Sequence, residues 1–145
     1  MTNLKFVTTD GDPNPQDKGL LVAGLLSHHS KNGHVRQTDT FSIFLKNDQD
    51  ISVGGVILTI LWGGLEISSL WVDESLRGQG WGKKLMAAAE TEGIKRGCHV
   101  AYTNTFSWQA PEFYQKLGYT LFGKIDNFPK GCTLSYFQKK LSSGK

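Results

Sequence analysis

Residues 70–90 read LWVDESLRGQGWGKKLMAAAE, and this stretch decides the fold because it passes from an apolar strand through glycines into a helix. The apolar run stops at Asp73, and glycine then recurs at every second position, Gly78, Gly80 and Gly82, before helix-forming residues begin. Glycines let backbone N–H groups approach a ligand closely, and the first turn of a helix carries unpaired N–H groups. The order strand, glycine-rich turn, helix therefore predicts a phosphate-binding site.

The glycine spacing separates this turn from two common nucleotide-binding motifs. A Walker loop needs four residues before its Gly-Lys-Ser/Thr, but Gly78 and Gly82 enclose three, and Lys84 stands where the hydroxyl residue belongs. The dinucleotide fingerprint Gly-x-Gly-x-x-Gly fails because its third glycine comes one residue early. The pattern that fits is Arg-x-x-Gly-x-Gly, formed by Arg77, Gly80 and Gly82.

The composition is typical of an ordinary globular domain. Of 145 residues, 39% are hydrophobic and 20% charged, and the formal net charge is +3. Lysine and arginine form no basic stripe, so no nucleic-acid partner is expected. The longest mostly apolar run, residues 54–62, is too short to span a bilayer, and the N-terminus resembles no secretion signal. We expect a cytoplasmic protein, monomer or homodimer, with one domain over residues 1–141 and a disordered tail at 142–145.

The rest of the chain alternates between strand and helix patterns. Asn14 and Pro15 begin a first helix, which stops at Asn32 and Gly33. A second helix spans about 80–96, with Trp81, Leu85, Met86, Ala88 and Ala89 facing the sheet and Lys84, Glu90, Glu92 and Lys95 facing outwards. A third, short helix is capped by Ser107 and contains Pro111 in its first turn. Strands are expected at residues 4–9, 38–46, 51–62, 65–72, 99–103, 119–125 and 132–139, with a possible bulge at Gly54 and Gly55.

This order of elements predicts an α/β protein with a mixed sheet. Three consecutive strands form an antiparallel meander. The helix at residues 80–96 then makes a right-handed crossover, so the strand at 99–103 runs parallel to the strand at 65–72.

Two motifs, in this order, resemble the GNAT superfamily of N-acetyltransferases. The first is Arg-x-x-Gly-x-Gly, which in the family holds the diphosphate of acetyl-coenzyme A. The second is residues 110–119, APEFYQKLGY, which resembles the family's helix of Ala, Tyr four residues later and a Leu-Gly-Phe/Tyr ending. The resemblance implies the GNAT fold, a mixed, mostly antiparallel sheet of about six to seven strands, the fourth and fifth of them parallel, with flanking helices.

The resemblance also implies which residues bind acetyl-coenzyme A. The implied set is Leu70, Trp71, Val72, Arg77, Gly78, Gln79, Gly80, Gly82 and Lys83. The backbone near Trp71 and Val72 would bind pantetheine and stabilise the oxyanion of the thioester. Where the family often has an asparagine that contacts pantetheine, this chain has Ser107. Either Ser107 or Asn104 is expected to make that contact.

Two side chains are candidates for acid–base chemistry. The family often uses the tyrosine of its second motif, here Tyr114, to protonate the departing thiolate; a phenol and an alkyl thiolate have comparable basicity. The competing interpretation is a tyrosine packed in the core. A glutamate on the strand before the glycine turn serves as base in several members, usually through water, and here that residue is Glu66. Glu66 could instead be a surface carboxylate without a catalytic role, and an ordered water chain would then remove the proton from the amine.

The expected activity is transfer of an acetyl group to a primary amine by direct attack in a ternary complex. A small-molecule amine is favoured over a protein lysine, and Asp126 and Phe128 are candidates to select it. The alternative is a module that binds or senses acyl-coenzyme A without catalysis. No metal is expected, since His28, His29 and His34 lack ligand spacing. Cys98 and Cys132 are expected to be reduced thiols, although a covalent role for Cys132 stays open.

Overall fold

A computed structural model of the chain describes residues 3–35 and 38–142. The chain divides into two compact units, Met1–Arg36 and Gln37–Lys145, and each is described by itself. The prediction of one domain over residues 1–141 stays a prediction. Of the predicted disordered tail, residues 143–145 lie outside the described residues.

The first unit contains the helix α1, Pro15–Lys31. It begins as predicted: the Asn14 side chain accepts hydrogen bonds from the amides of Gln16 and Asp17, and Pro15 occupies the first helical position. The strand predicted at residues 4–9 is wrong, since residues 3–9 adopt neither helix nor strand. Alternation of apolar residues is not sufficient for a strand, because a strand exists only where its backbone groups pair with a neighbour.

The second unit is a six-stranded mixed sheet with two helices, which confirms the predicted fold class. Its strands are β1 (Thr38–Lys46), β2 (Ser52–Leu61), β3 (Gly64–Val72), β4 (Val100–Phe106), β5 (Thr120–Asp126) and β6 (Thr133–Lys140), and its helices are α2 (Trp81–Lys95) and α3 (Pro111–Lys116). The spatial order is β1-β2-β3-β4-β6-β5. The predicted meander of β1, β2 and β3 and the predicted parallel pair, β3 and β4, are both present.

Helix α2 packs on the face of the sheet that carries the core. Its buried residues are Leu85, Met86, Ala89 and Gly93, which recur at the helical period and lie against Leu58, Leu65 and Phe137 of the strands. Two details of the predicted face are wrong. Ala88 is exposed, because it lies off the row of buried positions. Glu90 turns inwards, because it is paired with Lys139 and Tyr119.

Gly54 and Gly55 serve close packing in β2. A Cβ on Gly55 would lie 2.5 Å from the Phe44 ring, and one on Gly54 would lie 3.1 Å from the Trp71 carbonyl oxygen. The ladder of β2 is irregular opposite Leu45 and Lys46, next to Gly54, and again between Ile57 and Leu58. The predicted bulge is therefore close to its observed position, and the second irregularity lies beside β3 where the candidate site begins.

Candidate active site

Strands β3 and β4 pair over only part of their length. The parallel ladder joins Gly64 to Val100, Leu65 to Ala101 and Glu66 to Tyr102, and it ends there. Beyond this point β3 stays paired with β2, and β4 stays paired with β6. The two strands therefore separate, and we call the gap between residues 67–72 and residues 103–106 the split. In a strand, alternate backbone groups point to each side, so part of each strand's backbone faces the split.

A buried threonine marks the apex of the split. The Thr103 hydroxyl donates a hydrogen bond of 3.0 Å to the Ile67 carbonyl oxygen, one residue beyond the last ladder pair. Thr103 is 4% exposed, so this bond is shielded from water. A side chain thus replaces the backbone ladder at the point where the strands part.

Tyr114 reaches this apex from α3. It is 8% exposed, and its ring packs against Phe113, Tyr119 and Phe137. Burial raises the pKa of the Tyr114 phenol, and the neighbouring Thr103 hydroxyl only partly opposes this shift. Tyr114 is therefore a core residue whose phenol is protonated at neutral pH, and its role as proton donor stays a prediction.

Glu66 lies on the opposite face of the sheet at the same level. Its neighbours Leu65 and Ile67 are buried in the core that contains Tyr114, so alternation places Glu66 on the other side. The Ser68 hydroxyl donates to the Glu66 carboxylate at 3.1 Å. Burial, followed by the adjacent Glu66 carboxylate, raises the pKa of the Tyr102 phenol. The two candidate acid–base residues therefore flank the apex from opposite faces.

The predicted phosphate site lies just beyond β3. Gly78 and Gly80 have φ values of 78° and 85°, which residues with a Cβ rarely adopt, and nothing lies within 4 Å of the Cβ that either lacks. Gly80 is the N-cap of α2, and no side chain caps this helix. The first turn of α2 contains no acidic residue. Its amides therefore form an anion-binding geometry without a competing carboxylate.

The remaining residues of the turn fix its shape. Arg77 Nε donates to the Val72 carbonyl oxygen at 3.1 Å, and the Gln79 amide nitrogen donates to the Ser75 carbonyl oxygen at 3.4 Å. Asp73 caps the short 3₁₀ turn Glu74–Leu76 through hydrogen bonds from Ser75, and these bonds hold the pKa of the exposed Asp73 carboxyl below its usual range. Arg77 and Gln79 are thus anchored to the turn.

Ser107 and Asn104 have different environments. The Ser107 side chain accepts a hydrogen bond of 3.2 Å from the Thr133 amide, so it extends the pairing of β4 with β6. It does not cap α3 as predicted, because α3 begins at Pro111 with Ala110 as N-cap. Asn104 is exposed, and alternation along β4 places it on the face of Tyr102.

Four further observations concern the described residues. Cys98 is buried, which raises its pKa, Cys132 is half-buried, and both are free thiols that lie just before β4 and β6. Among residues 3–35 and 38–142, no cluster of His, Cys, Asp or Glu could hold a metal ion. Within the same ranges, no helix combines the length and the apolar character needed to cross a membrane. A groove of about 490 Å³ between β1 and α2, lined partly by Phe41 and Arg96, is formed by residues outside the split.

The sequence predicted Tyr114, Glu66 and the glycines as site residues, and these stay predictions; it did not predict two further residues that lie at the apex of the split. Thr103 and Tyr102 are neighbours on β4, and their roles depend on which face each side chain takes and on where the β3–β4 ladder stops. A strand pattern predicts alternation, but it does not predict the length of a parallel ladder.

Comparison with known proteins matches this geometry to one family. Residues 38–121 match the model of the acetyltransferase (GNAT) domain. Acetyltransferase Atu2258 of Agrobacterium fabrum is 34% identical over 137 residues, 94% of this chain and 99% of that protein. Blasticidin-S acetyltransferase of Streptomyces morookaense is 33% identical over 107 residues, 73% of this chain and 79% of that protein.

A solved structure shows the same relation. The crystal structure of an acetyltransferase from Bacillus cereus superimposes with a TM-score of 0.79 at 31% identity, and the match covers 92% of this chain and 98% of that one. The family model covers more than half of the chain, and both curated relatives exceed 30% identity. The chain belongs to the GNAT family of acetyltransferases and is an acyltransferase enzyme.

Proposed function

We propose that this protein transfers an acetyl group from acetyl-coenzyme A to a primary amine of a small molecule. The observation that carries the proposal is the split: a gap in the sheet that opens from an apex flanked by Tyr114 and Glu66, with the uncapped start of α2 following the end of β3. The named activity of the blasticidin-S relative supports a small-molecule acceptor.

The residues present fit the chemistry of coenzyme A. A diphosphate suits the amides at the start of α2, because Gly78 and Gly80 present no Cβ there and Lys83 adds positive charge. The part of the backbone of Leu70 and Trp71 that faces the split suits the amide groups of a pantetheine arm, and the Val72 carbonyl oxygen accepts from Arg77. Asn104 is favoured over Ser107 as a further contact, since the Ser107 hydroxyl already pairs with Thr133.

Acetyl-coenzyme A, when bound, supplies the acetyl thioester, and the residues of the chain manage protons. An alkylammonium has no lone pair at neutral pH, so Glu66, directly or through water, accepts a proton from the acceptor amine. The amine nitrogen then bonds to the acetyl carbon as the carbon–sulfur bond breaks. Tyr114 donates its phenolic proton to the leaving sulfur. The acylated nitrogen releases its second proton to solvent to give the neutral amide, and the Tyr114 phenolate is reprotonated from solvent. Backbone N–H groups of residues 70–72 stabilise the negative charge on the carbonyl oxygen.

The direct test is release of free thiol from acetyl-coenzyme A in the presence of amines. We expect release with at least one member of a panel of polyamines, aminoglycosides, amino acids and lysine peptides, and mass spectrometry should show one added acetyl group on the acceptor. Binding of acetyl-coenzyme A in a thermal-shift assay, without thiol release from any amine, would instead indicate a sensing module.

The phosphate site is tested by Gly80→Ala. A Cβ at φ 85° strains the backbone and crowds the approach to the amides of α2, so we expect the Kd for coenzyme A to rise about tenfold, or about 1.4 kcal/mol. Gly97→Ala is the matched control. Gly97 has φ 89° with open space around it, at the other end of the same helix. Calorimetry that shows equal Kd changes in both variants would contradict the assignment.

The role of Tyr114 is tested by Tyr114→Phe. Loss of the donor should lower kcat by about 100-fold, within the usual range for general acid catalysis, and leave the Kd for coenzyme A nearly unchanged. Tyr119→Phe is the control, because Tyr119 is also buried, at 3% exposed, but its hydroxyl donates to Glu90. If the steady-state rates fell equally in both variants, the loss in Tyr114→Phe would be due to altered packing and not to the loss of a proton donor.

The role of Glu66 is tested by Glu66→Gln through its pH dependence. Without a base, the rate should follow the neutral fraction of the acceptor, which grows about tenfold per pH unit below the amine's own pKa of about 10.4. We therefore expect a large deficit at pH 7 that closes as the pH rises towards 10. Glu74→Gln, which removes an exposed carboxylate from the 3₁₀ turn, should keep the wild-type profile. An unchanged profile for Glu66→Gln would favour the water chain.

A further inference from the structure

Three aromatic rings form a stack beyond the end of β4. The rings of Phe106 and Trp108 are 4.6 Å apart and inclined by 4°, and those of Phe106 and Phe128 are 5.8 Å apart and inclined by 23°. Phe106 is the central ring. We call these three residues the aromatic stack. Its outer members are unusually open, since Trp108 is 59% exposed and Phe128 is 47% exposed.

The aromatic stack lies on the face of the sheet that carries Glu66. Phe106 follows Tyr102 by four positions on β4, so alternation places both side chains on one face, and Glu66 pairs with Tyr102. Four residues of strand span about 13 Å. A molecule whose amine lies at the apex of the split and whose body extends about 10 Å along β4 therefore reaches the rings.

The loop that carries Phe128 is held in place by the backbone. The Phe128 amide donates to the Cys132 carbonyl oxygen at 3.0 Å, the Cys132 amide donates to the Pro129 carbonyl oxygen at 2.8 Å, and the Asn127 side chain accepts from the Gly131 amide at 2.8 Å. An exposed ring fixed in this way loses little freedom when a ligand packs against it.

The shielding of buried apolar residues does not by itself explain why three aromatic rings lie here. Leu134, opposite Phe106 on β6, is 6% exposed, so the stack shields one apolar side chain. A ring that only shields is itself mostly covered, whereas Trp108 leaves more than half of its surface in solvent. Nearly parallel rings with open outer faces are the geometry to which another planar group adds.

We infer that the aromatic stack selects the acceptor: the substrate is a primary amine joined, through a spacer of about 10 Å, to a planar unsaturated ring that stacks on Trp108, the most exposed ring of the three. This inference rests on the proposed function, because it takes the amine to react at the apex of the split. It adds the chemical class of the rest of the substrate, which neither sequence motif addresses.

A matched pair of amines tests the inference. 6-Phenylhexylamine and 6-cyclohexylhexylamine have the same reacting group and the same spacer, but only the first has a planar ring. We expect kcat/KM for thiol release to be about tenfold higher for the phenyl compound, the low end of measured aromatic stacking on protein rings. Since cyclohexyl is the more apolar group, a merely hydrophobic surface would give equal rates or reverse the order.

Two variants locate the effect. Trp108→Leu, which keeps an apolar side chain, should bring the ratio of the two amines to about one, mainly through KM. Phe122→Leu is the control, because Phe122 is 53% exposed but is tilted by 57° against Tyr136, outside the stack; it should keep the tenfold ratio. 2-Phenylethylamine, too short to reach the rings, should be insensitive to Trp108→Leu. Equal rates for the paired amines in the wild type, or equal losses in the two variants, would overturn the inference.

Binding measurements separate this inference from the proposed function. Calorimetry with coenzyme A present gives the Kd of each amine whether or not thiol is released. Tighter binding of the phenyl compound that depends on Trp108, without turnover, would support the aromatic stack and contradict acetyl transfer. Turnover without a phenyl preference would support acetyl transfer and contradict the role of the aromatic stack. Absence of both binding and turnover for the phenyl compound would also contradict the aromatic stack as an acceptor site.

Discussion

The structure of the site depends on the early end of one parallel ladder. Backbone hydrogen bonds are costly to leave unmade in a buried sheet, so two adjacent strands separate only where other partners satisfy them. Here β2 and β6 pair with the outer edges of β3 and β4, and the Thr103 hydroxyl satisfies the Ile67 carbonyl at the apex. The sheet can therefore open without losing its core, and the opened edges become a surface for a ligand.

The same opening bears on how the proposed acid, Tyr114, and the proposed base, Glu66, could both reach one thioester. A continuous sheet would separate Tyr114, in the core beneath α2, from Glu66 on the other face. Where pairing stops, a thioester placed in the split is accessible from both faces. Tyr114 is kept protonated by burial, and Glu66 is half-exposed among hydroxyl groups of Ser68 and Tyr102. The proposed acid is thus protonated at neutral pH, and the proposed base is partly open to solvent.

Local signals in the sequence predicted most of the fold. The cap at Asn14, the end of the second helix near residue 96 and the antiparallel meander of β1 to β3 depend on neighbours in the chain, and the structure confirms them. The errors involve distant partners. Residues 4–9 alternate but do not pair, and Ser107 binds Thr133 rather than capping α3.

The same division holds for the candidate site. Glycine spacing predicted a phosphate site at the start of α2, and the second motif predicted Tyr114 as a proton donor. The Thr103 bond, the Tyr102 contact and the aromatic stack join residues from separate elements, and a linear pattern does not specify such contacts. Trp108 is 59% exposed, because a ring on a turn is placed by its partners rather than by its neighbours in the chain.

Helix α2, whose start is the candidate phosphate site, makes two sets of contacts with the elements around Tyr114. Near the start of α2, Gly82 lacks a Cβ that would lie 3.3 Å from the Phe113 ring, so α3 can pack closely against α2. Further along α2, the Glu90 carboxylate accepts from the Tyr119 hydroxyl at 2.9 Å and from Lys139 at 2.7 Å.

This polar cluster is strong because it is shielded. Burial, followed by the nearby Glu90 carboxylate, raises the pKa of Tyr119, so its phenol remains a donor to that carboxylate at neutral pH. Leaving one partner of such a cluster unpaired costs about 1–3 kcal/mol, which opposes any sliding of α2 against the turn after α3. These contacts therefore hold α2, which begins at the candidate phosphate site, against the elements that surround Tyr114.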